Sequence, residues 1–312
     1  MVGVDQDLDA GRPAGGRRDQ LAQAFTAHRS RLASLAYRLT GSLADADDVV
    51  QETWIRLQRS DADPATAPRD LAAWLTTTAT RVALDLLRSA ARRKETYVGP
   101  WLPEPRVTPT TERSGEGPET GAVLADEVSF ALMVVLETLS PAQRAAFVLH
   151  DMFDLPFEEV ADVLSRTPAA VRKLASRARD QVATGTPRKE ADPATHRRVV
   201  EAFAAASTGG DLHALAAALD PSVLYRADGG GLVRAAVNVV RGPDRVARLV
   251  LGVLGQADAG IEAAVELVNG RPGLVFTQDG TPVAVVAFTV TAEGRIATVD
   301  VQMNPEKLAH VR

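Results

Sequence analysis

The chain reads as a multidomain protein: two all-α units, the second carrying a helix-turn-helix, followed by an α+β cone. Three observations predict this. Up to Val182 apolar residues recur at helical spacing. Two stretches rich in proline, glycine and polar residues interrupt that pattern, at 97–125 and at 185–193. Beyond Leu219 the period shortens toward alternation, broken by Asn-Gly, Asp-Gly and Glu-Gly dipeptides that suit hairpin turns. The expected divisions are a disordered tail 1–19, a helical unit 20–96, a linker 97–125, a second helical unit 126–184, a linker 185–193 and the α+β unit 194–312. A length of 312 residues agrees with two or three domains.

The helix-turn-helix lies at Phe157–Val182. Phe157, Val160, Ala161 and Leu164 give a first helix with Glu158, Glu159 and Asp162 on its other face. Ser165-Arg166 break it. Thr167 caps a second helix whose first position, Pro168, needs no N–H. That helix buries Val171, Leu174 and Ala178 and turns Arg172, Lys173, Ser176, Arg177 and Arg179 outward. Small Ala169 and Ala170 at its start let it approach a groove floor, and the basic residues suit phosphates and guanine edges. An αα-hairpin with a solvated basic face is the plainer alternative. The net charge of −5 does not oppose DNA binding, since Arg166–Lys189 holds seven basic residues against Asp180. The absence of cysteine excludes disulfides and thiolate metal sites and fits a cytoplasmic address. The N-terminus lacks the apolar core of a signal peptide, and no apolar run is long enough to span a membrane.

In the first unit, Leu21, Phe25, Leu32, Leu35 and Leu39 mark a helix over Gln20–Leu39, ended by Gly41. A second helix, DADDVVQETWIRLQR, packs through Val49, Val50, Thr53, Trp54 and Leu57. Asp45, Asp48, Gln51, Glu52 and Ile55 fall on or near one outward face, a docking face for a basic partner or a solvated helix start. No histidine supports a metal among these acids. Asp70 caps a long third helix carrying Trp74, Thr76, Thr77, Thr78 and Arg81 and ending in Arg88, Arg92, Arg93 and Lys94. A Thr/Trp/Arg face beside a basic end makes a single-strand DNA platform, or else a core Trp with a solvated end.

These motifs resemble the two conserved domains of the extracytoplasmic-function sigma factors. DADDVVQETWIRL resembles the part that binds the clamp helices of RNA polymerase. The resemblance thus implies core RNA polymerase, through clamp helices and flap, and promoter DNA as partners. DLAAWLTTTATRVALDLLR resembles the helix that handles the melted upstream-of-start element, which implies Trp74, Thr77, Thr78, Arg81, Arg88 and Arg92 for that role. LSPAQRAAFVLHDMFDLPFEEVADVLSRTPAAVRKLASRAR resembles the domain that reads the distal element, through Thr167, Ala169, Ala170, Arg172, Lys173, Ser176 and Arg177. Arg81 stands where an asparagine is common in the family, and Pro156 where a capping Ser is common.

In the linker, Trp101-Leu102-Pro103-Glu104-Pro105 puts a large apolar pair in a stiff polyproline-like frame, which predicts docking. It matches a motif of the sigma subgroup with a C-terminal extension. Asp126–Leu139 is expected as the next helix. Ser140, Pro141 and Gln143 then set up a capping box.

The last unit is expected to hold two helices, over Ala194–Leu219, then strands at Ser222–Tyr225, Ile261–Val268, Leu274–Gln278, Val283–Thr291 and Ile296–Met303. It resembles the SnoaL-like fold, whose cones bind small ligands and in some members act as cyclases. Asp228-Gly229-Gly230-Gly231 and Asn304-Pro305-Glu306-Lys307-Leu308 look like motifs of the same subgroup, although Leu232 replaces a basic residue there. The resemblance implies that these residues meet Trp101, Leu102 and Pro103 to regulate activity. Candidates for acid/base chemistry are His213, His310, Asp228 and Asp300, with Asp300 expected to face solvent. No catalytic pair, cofactor or metal is expected, and a small-molecule ligand of the cone is left open. The other readings are a stand-alone helix-turn-helix regulator and a sigma factor whose last domain is an active or ligand-sensing enzyme.

Overall fold

The computed structural model describes residues 14–62, 67–94, 97–110, 128–185, 190–256 and 260–311, with backbone alone at 14–17 and 90–94. Three helices form the first unit: α1 (Ala14–Thr40), α2 (Leu43–Asp61) and α3 (Leu71–Lys94). The first begins six residues before the expected start, so 14–19 belong to a helix and not to a tail. Gly15 and Gly16 disfavour helix locally, which hid this turn in the sequence. Residues 1–13 lie outside the described residues. Ser42 caps α2 by accepting from the Asp45 amide, and Asp70 caps α3 through the Ala73 amide.

The second unit comprises α4 (Phe130–Leu136), α5 (Pro141–Phe147), α6 (Phe157–Leu164) and α7 (Pro168–Gly185). Helix α4 is shorter than expected because Ser129 caps it; residues 126 and 127 are outside the described set. The capping box of α5 forms in full between Ser140 and Gln143. A π-helical turn, Val148–Met152, widens the end of α5. The helix-turn-helix break is Ser165, held at φ 52°. Thr167 caps α7.

The two helical units are not separate bodies. Leu32, Leu39, Leu57 and Leu75 of the first and Met133, Leu149, Val160 and Val171 of the second lie in one continuous core. Arg144 is buried across the join. Its Nε donates to the Arg38 carbonyl at 2.9 Å, and its Nη1 pairs with Glu137 at 2.7 Å. Gly41 (φ 75°) sits against Glu137, where a Cβ would overlap the carboxylate.

The third unit has α8 (Pro193–Thr208), α9 (Leu212–Ala218), β2 (Leu219–Asp228), β3 (Val240–Arg241), α10 (Pro243–Leu254), β4 (Ile261–Val268), β5 (Arg271–Gln278), β6 (Thr281–Val290), β7 (Ile296–Gln302) and the short α11 (Pro305–Leu308). Helix α10 was not expected. Its signals are Gly242-Pro243 at the start and the apolar set Val246, Ala247, Val250, Leu251 and Leu254. Strands β4 to β7 form an antiparallel meander, and β2 joins β7 in parallel. Asn269-Gly270 and Asp279-Gly280 both hold positive φ at two successive residues, as a type I′ turn needs.

Strand alternation gives this sheet two apolar faces. Leu274, Ala284, Val286 and Phe288 pack toward α8, α9 and α10. Val275, Val285 and Ala287 pack on the other face with Leu102, Phe130, Val134 and Leu308. The linker, expected to be irregular throughout, adds strand β1 (Val107–Thr108) to the edge of the sheet, antiparallel to Leu267-Val268. An open edge captured it, since exposed ladder groups accept an extended segment.

His196 on α8 is buried, and its Nε2 donates to the Pro272 carbonyl at 3.0 Å. Burial and nearby Arg271 lower its pKa from 6.5 to about 4. The unfolded chain therefore takes up a proton in this interval that the folded chain refuses. The stability contributed by the neutral ring is complete above pH 6.5 and is lost as pH falls toward 4. His196→Gln keeps a donor for Pro272 without the titration. Its urea midpoint should change less between pH 7 and pH 5 than that of the wild type, by about 1–3 kcal/mol of stability.

Candidate nucleic-acid interface and linker junction

On α2, Asp48 and Gln51 are exposed, while Asp45, Glu52 and Ile55 are half-buried. Asp45, Asp48, Glu52 and Ile55 are three or four residues apart and share one stripe, with Gln51 beside it. Glu52 pairs with Arg56 at 2.7 Å. On α3, Arg81 and Arg88 are exposed and Trp74, Thr77 and Thr78 are half-buried. Trp74 is packed against the helical core. Arg81 reaches across to the Asp162 carbonyl of α6 at 3.4 Å, so this face lies against the helix-turn-helix. Arg88 pairs with Asp85 at 2.9 Å. The side chain of Arg92 lies outside the described residues.

On α7 the exposed face carries Ala169, Arg172, Lys173, Ser176 and Arg177, with Thr167 exposed at its start and Ala170 half-buried. Arg172 is engaged within the chain: it pairs with Glu158 at 2.9 Å and lies over the Phe157 ring. Arg179 pairs with Asp151. Lys173 and Arg177 have no ion-pair partner among the described residues.

The linker residues and the two C-terminal motifs meet at one buried carboxylate. Asp228 ends β2 and is fully buried. Its Oδ2 accepts from the Leu102 amide at 2.8 Å and lies 2.7 Å from Lys307 Nζ. Its Oδ1 accepts from Tyr97 at 2.5 Å and from the Gly230 amide at 3.0 Å. Lys307 also donates to the Leu102 carbonyl at 2.6 Å and lies 3.4 Å above the Trp101 ring. Gln302 donates to the carbonyls of Leu102 and Pro103. Burial and the neighbouring Asp228 push the Tyr97 hydroxyl well above its usual pKa, so it stays a donor. Asn304 caps α11 through the Glu306 amide and donates to the Tyr97 hydroxyl. Gly230 (φ 65°) must be glycine twice over, because a Cβ would also overlap Asn304. Gly229 is buried against Val233 and Ala235. Pro305 is exposed and serves to start α11, while Leu308 is buried with Leu102.

Several residues of this junction were missed in the sequence. Glu104 caps α2 from outside its own unit, with Oε2 2.7 Å from the Leu43 amide, where a carboxylate suits the helix dipole. Tyr37 of α1 donates to the Glu104 carbonyl at 2.7 Å. Asn269, in the β4–β5 turn, touches all three parts at once. It bonds the Tyr37 hydroxyl, the Arg106 amide and the Val128 carbonyl. His310 bonds the Pro105 carbonyl. The only signal for these was the position of Glu104 inside the apolar linker motif. Asp300 corrects the expectation of a solvent-facing carboxylate: it is buried and takes a two-point ion pair from Arg226, its direct cross-strand partner.

A model of sigma-70 region 2 matches residues 24–93, and one of sigma-70 region 4 matches residues 129–182. The extracytoplasmic-function sigma factor SigJ of Mycobacterium tuberculosis is 47% identical over 252 residues, covering 80% of this chain and 78% of that protein. The chain belongs to the extracytoplasmic-function sigma factor family. The probable sigma factor SigI of the same organism is 32% identical over 296 residues, 94% of this chain and 97% of its own. The crystal structure of SigJ superposes with a TM-score of 0.73 at 40% identity, over 92% of this chain and 98% of that one. A member of this family is a promoter-specific initiation factor that works with RNA polymerase. Helices α1–α3 carry the region 2 match and α4–α7 the region 4 match, and the unit from α8 to α11 is an α+β extension. Among the described residues no helix is long and apolar enough to cross a membrane.

Asp228→Ala leaves the Lys307 ammonium buried without its carboxylate, at a cost of about 3–5 kcal/mol. Hydrogen exchange should then show the Leu102 amide losing protection, and Asp228→Asn combined with Lys307→Met should recover part of it. Unchanged protection of Leu102 in Asp228→Ala would remove this carboxylate from the account of how the linker is held.

Proposed function

We propose that this sigma factor selects promoters with its two helical regions while its own C-terminal unit sets their relative placement by holding the linker. The observation that carries this reading is the buried Asp228–Lys307 pair closed around the Leu102 backbone. Chain between two DNA-reading units fixes which separations they can span, and a clamp on it selects among those separations. In this reading the stripe Asp45, Asp48, Gln51, Glu52 and Ile55 docks on the polymerase clamp helices, and region 4 docks on the flap. Trp74, Thr77, Thr78, Arg81, Arg88 and Arg92 handle the melted element. Helix α7 reads the distal element, with Lys173 and Arg177 uncommitted and Arg172 released from Glu158 on binding. The protein acts in the cytoplasm, with the polymerase.

The α+β unit is assigned no turnover. Asp228 and Asp300 are both spent in ion pairs, His213 is exposed, and His310 is committed to the linker. None of these four candidates faces another as an acid/base pair inside the cone.

Transcription by purified core polymerase tests the reading. The wild type should initiate from a subset of genomic promoters, and initiation from none would refute the assignment of sites on α2, α3 and α7. Lys173→Ala or Arg177→Ala should weaken promoter binding. A phosphate contact would lower the salt slope by about one, and a base contact would cost about 1–3 kcal/mol at one position. For the clamp, Trp101→Ala with Leu102→Ala, and a truncation after Lys189, should each change promoter output several-fold. The truncation should leave the double substitution little further to change. Output equal to wild type in both cases would sink the clamp.

A further inference from the structure

The sheet ends on β3, and the outer side of that strand is open. The register gives the direction of its ladder groups. Arg241 lies opposite Leu224 and Val240 opposite Tyr225, and the Gly242 amide donates to the Val223 carbonyl at 3.1 Å. Bonded and unbonded pairs alternate in an antiparallel ladder, so the Arg241 N–H, the Arg241 carbonyl and the Val239 carbonyl point away from β2. None of the three has a hydrogen-bond partner among the described residues. The surface beside this edge is apolar. Val98, Leu232, Val233, Val237 and Val239 are five of the six exposed large apolar side chains among the described residues. They gather at one place, since Gly231 abuts Val98 and Gly99 abuts Val237. The rim is basic. Arg234, Arg241, Arg245 and Arg248 are exposed without an ion-pair partner among the described residues, whereas Arg56, Arg179 and Arg197 each pair with a carboxylate. Asp244 is the one acid between Gly229 and Gly255.

We infer that the β3 edge is a docking site for another protein, which adds to the sheet an extended segment of acidic and apolar residues. Three features choose that occupant. Open ladder groups hold extended backbone, as the opposite edge of the same sheet does where β1 pairs with β4. The arginines select carboxylates: an acidic side chain facing Arg241 on an added strand forms a cross-strand ion pair, and helix α10, which lies against β3, sets Arg245 and Arg248 nearby. The apolar residues select a protein over duplex DNA, because phosphates leave Leu232 and Val237 uncovered while the centre of a protein interface buries such side chains. The site is separate from the α2 stripe and from α7. It adjoins the linker junction, since Val98 follows Tyr97, which donates to Asp228.

Fluorescence anisotropy of the full chain with a labelled peptide of alternating glutamate and valine tests this. The peptide should bind once per chain, with Kd on the order of 100 μM. A peptide of alternating lysine and valine should bind at least about tenfold more weakly. The glutamate peptide N-methylated throughout, which has no ladder donors, should lose as much. Arg241→Glu should reverse the preference between the two charged peptides. Hydrogen exchange should show the Arg241 amide slowed by the glutamate peptide. No saturable binding, equal binding of the lysine or the N-methylated peptide, an unchanged preference in Arg241→Glu, or an Arg241 amide that the bound peptide does not slow would each overturn the proposal. So would a salt slope of promoter binding lowered by about one in Arg241→Ala, which would make this edge a phosphate contact.

Discussion

A carboxylate with no exposure must have its charge and its lone pairs met inside the protein, and Asp228 sets that requirement at the centre of this molecule. The groups that meet it come from far apart in the chain: Tyr97 and Leu102 from the linker, Gly230 from the adjoining turn, Gln302 from β7 and Lys307 from α11. None of these segments can leave without stranding charge in a low-dielectric interior. That makes the junction conditional. Burying Leu102 contributes roughly 1.5–3 kcal/mol wherever it lands, whereas the polar groups around Asp228 are satisfied in one register only. Apolar packing supplies affinity here, and the ion pair supplies the address.

What was legible in the sequence was local. Capping at Ser140, Thr167 and Asp70, the break at Ser165 and the Asn-Gly and Asp-Gly turns depend on a few neighbouring residues, and the structure has them all. The fold class followed from period and order. The connections were not legible, because a ladder between β1 and β4, or Glu104 capping a helix sixty residues earlier, leaves no periodic trace. Asp300 misled for a related reason. A carboxylate on a strand reads as solvated until its cross-strand partner is known to be Arg226. Helix α10 was a different failure: its start signal and apolar face were present and were passed over between two strand-like segments.

The join between regions 2 and 4 has the same mixed character as the linker junction. One continuous apolar core runs through both regions, yet the contacts that fix their orientation are polar. Arg144 donates to the Arg38 carbonyl, and Arg81 to the Asp162 carbonyl. Arg144 is buried and Arg81 is exposed, so the two bonds differ in consequence. Water can replace the second at little cost, while loss of the first strands a guanidinium. The exposed edge of α3 at Arg81 therefore sits against region 4 through the weaker of these two bonds, with the costlier one behind it.

The α+β unit brings these constraints together because its sheet is used on both faces. Strands β2 and β7 run parallel with Tyr225 opposite Val299, Arg226 opposite Asp300 and Asp228 opposite Gln302. A period of two sends alternate pairs to opposite sides. Tyr225 and Val299 face the cone, while Asp228 and Gln302 face the linker. The Arg226–Asp300 pair lies between them in register and ties the strands together by a two-point salt bridge. A backbone displacement of either strand must therefore move both sets of side chains. The cone is thus not an appendage to the part that grips the linker; the same two strands, seen from their other side, are its wall.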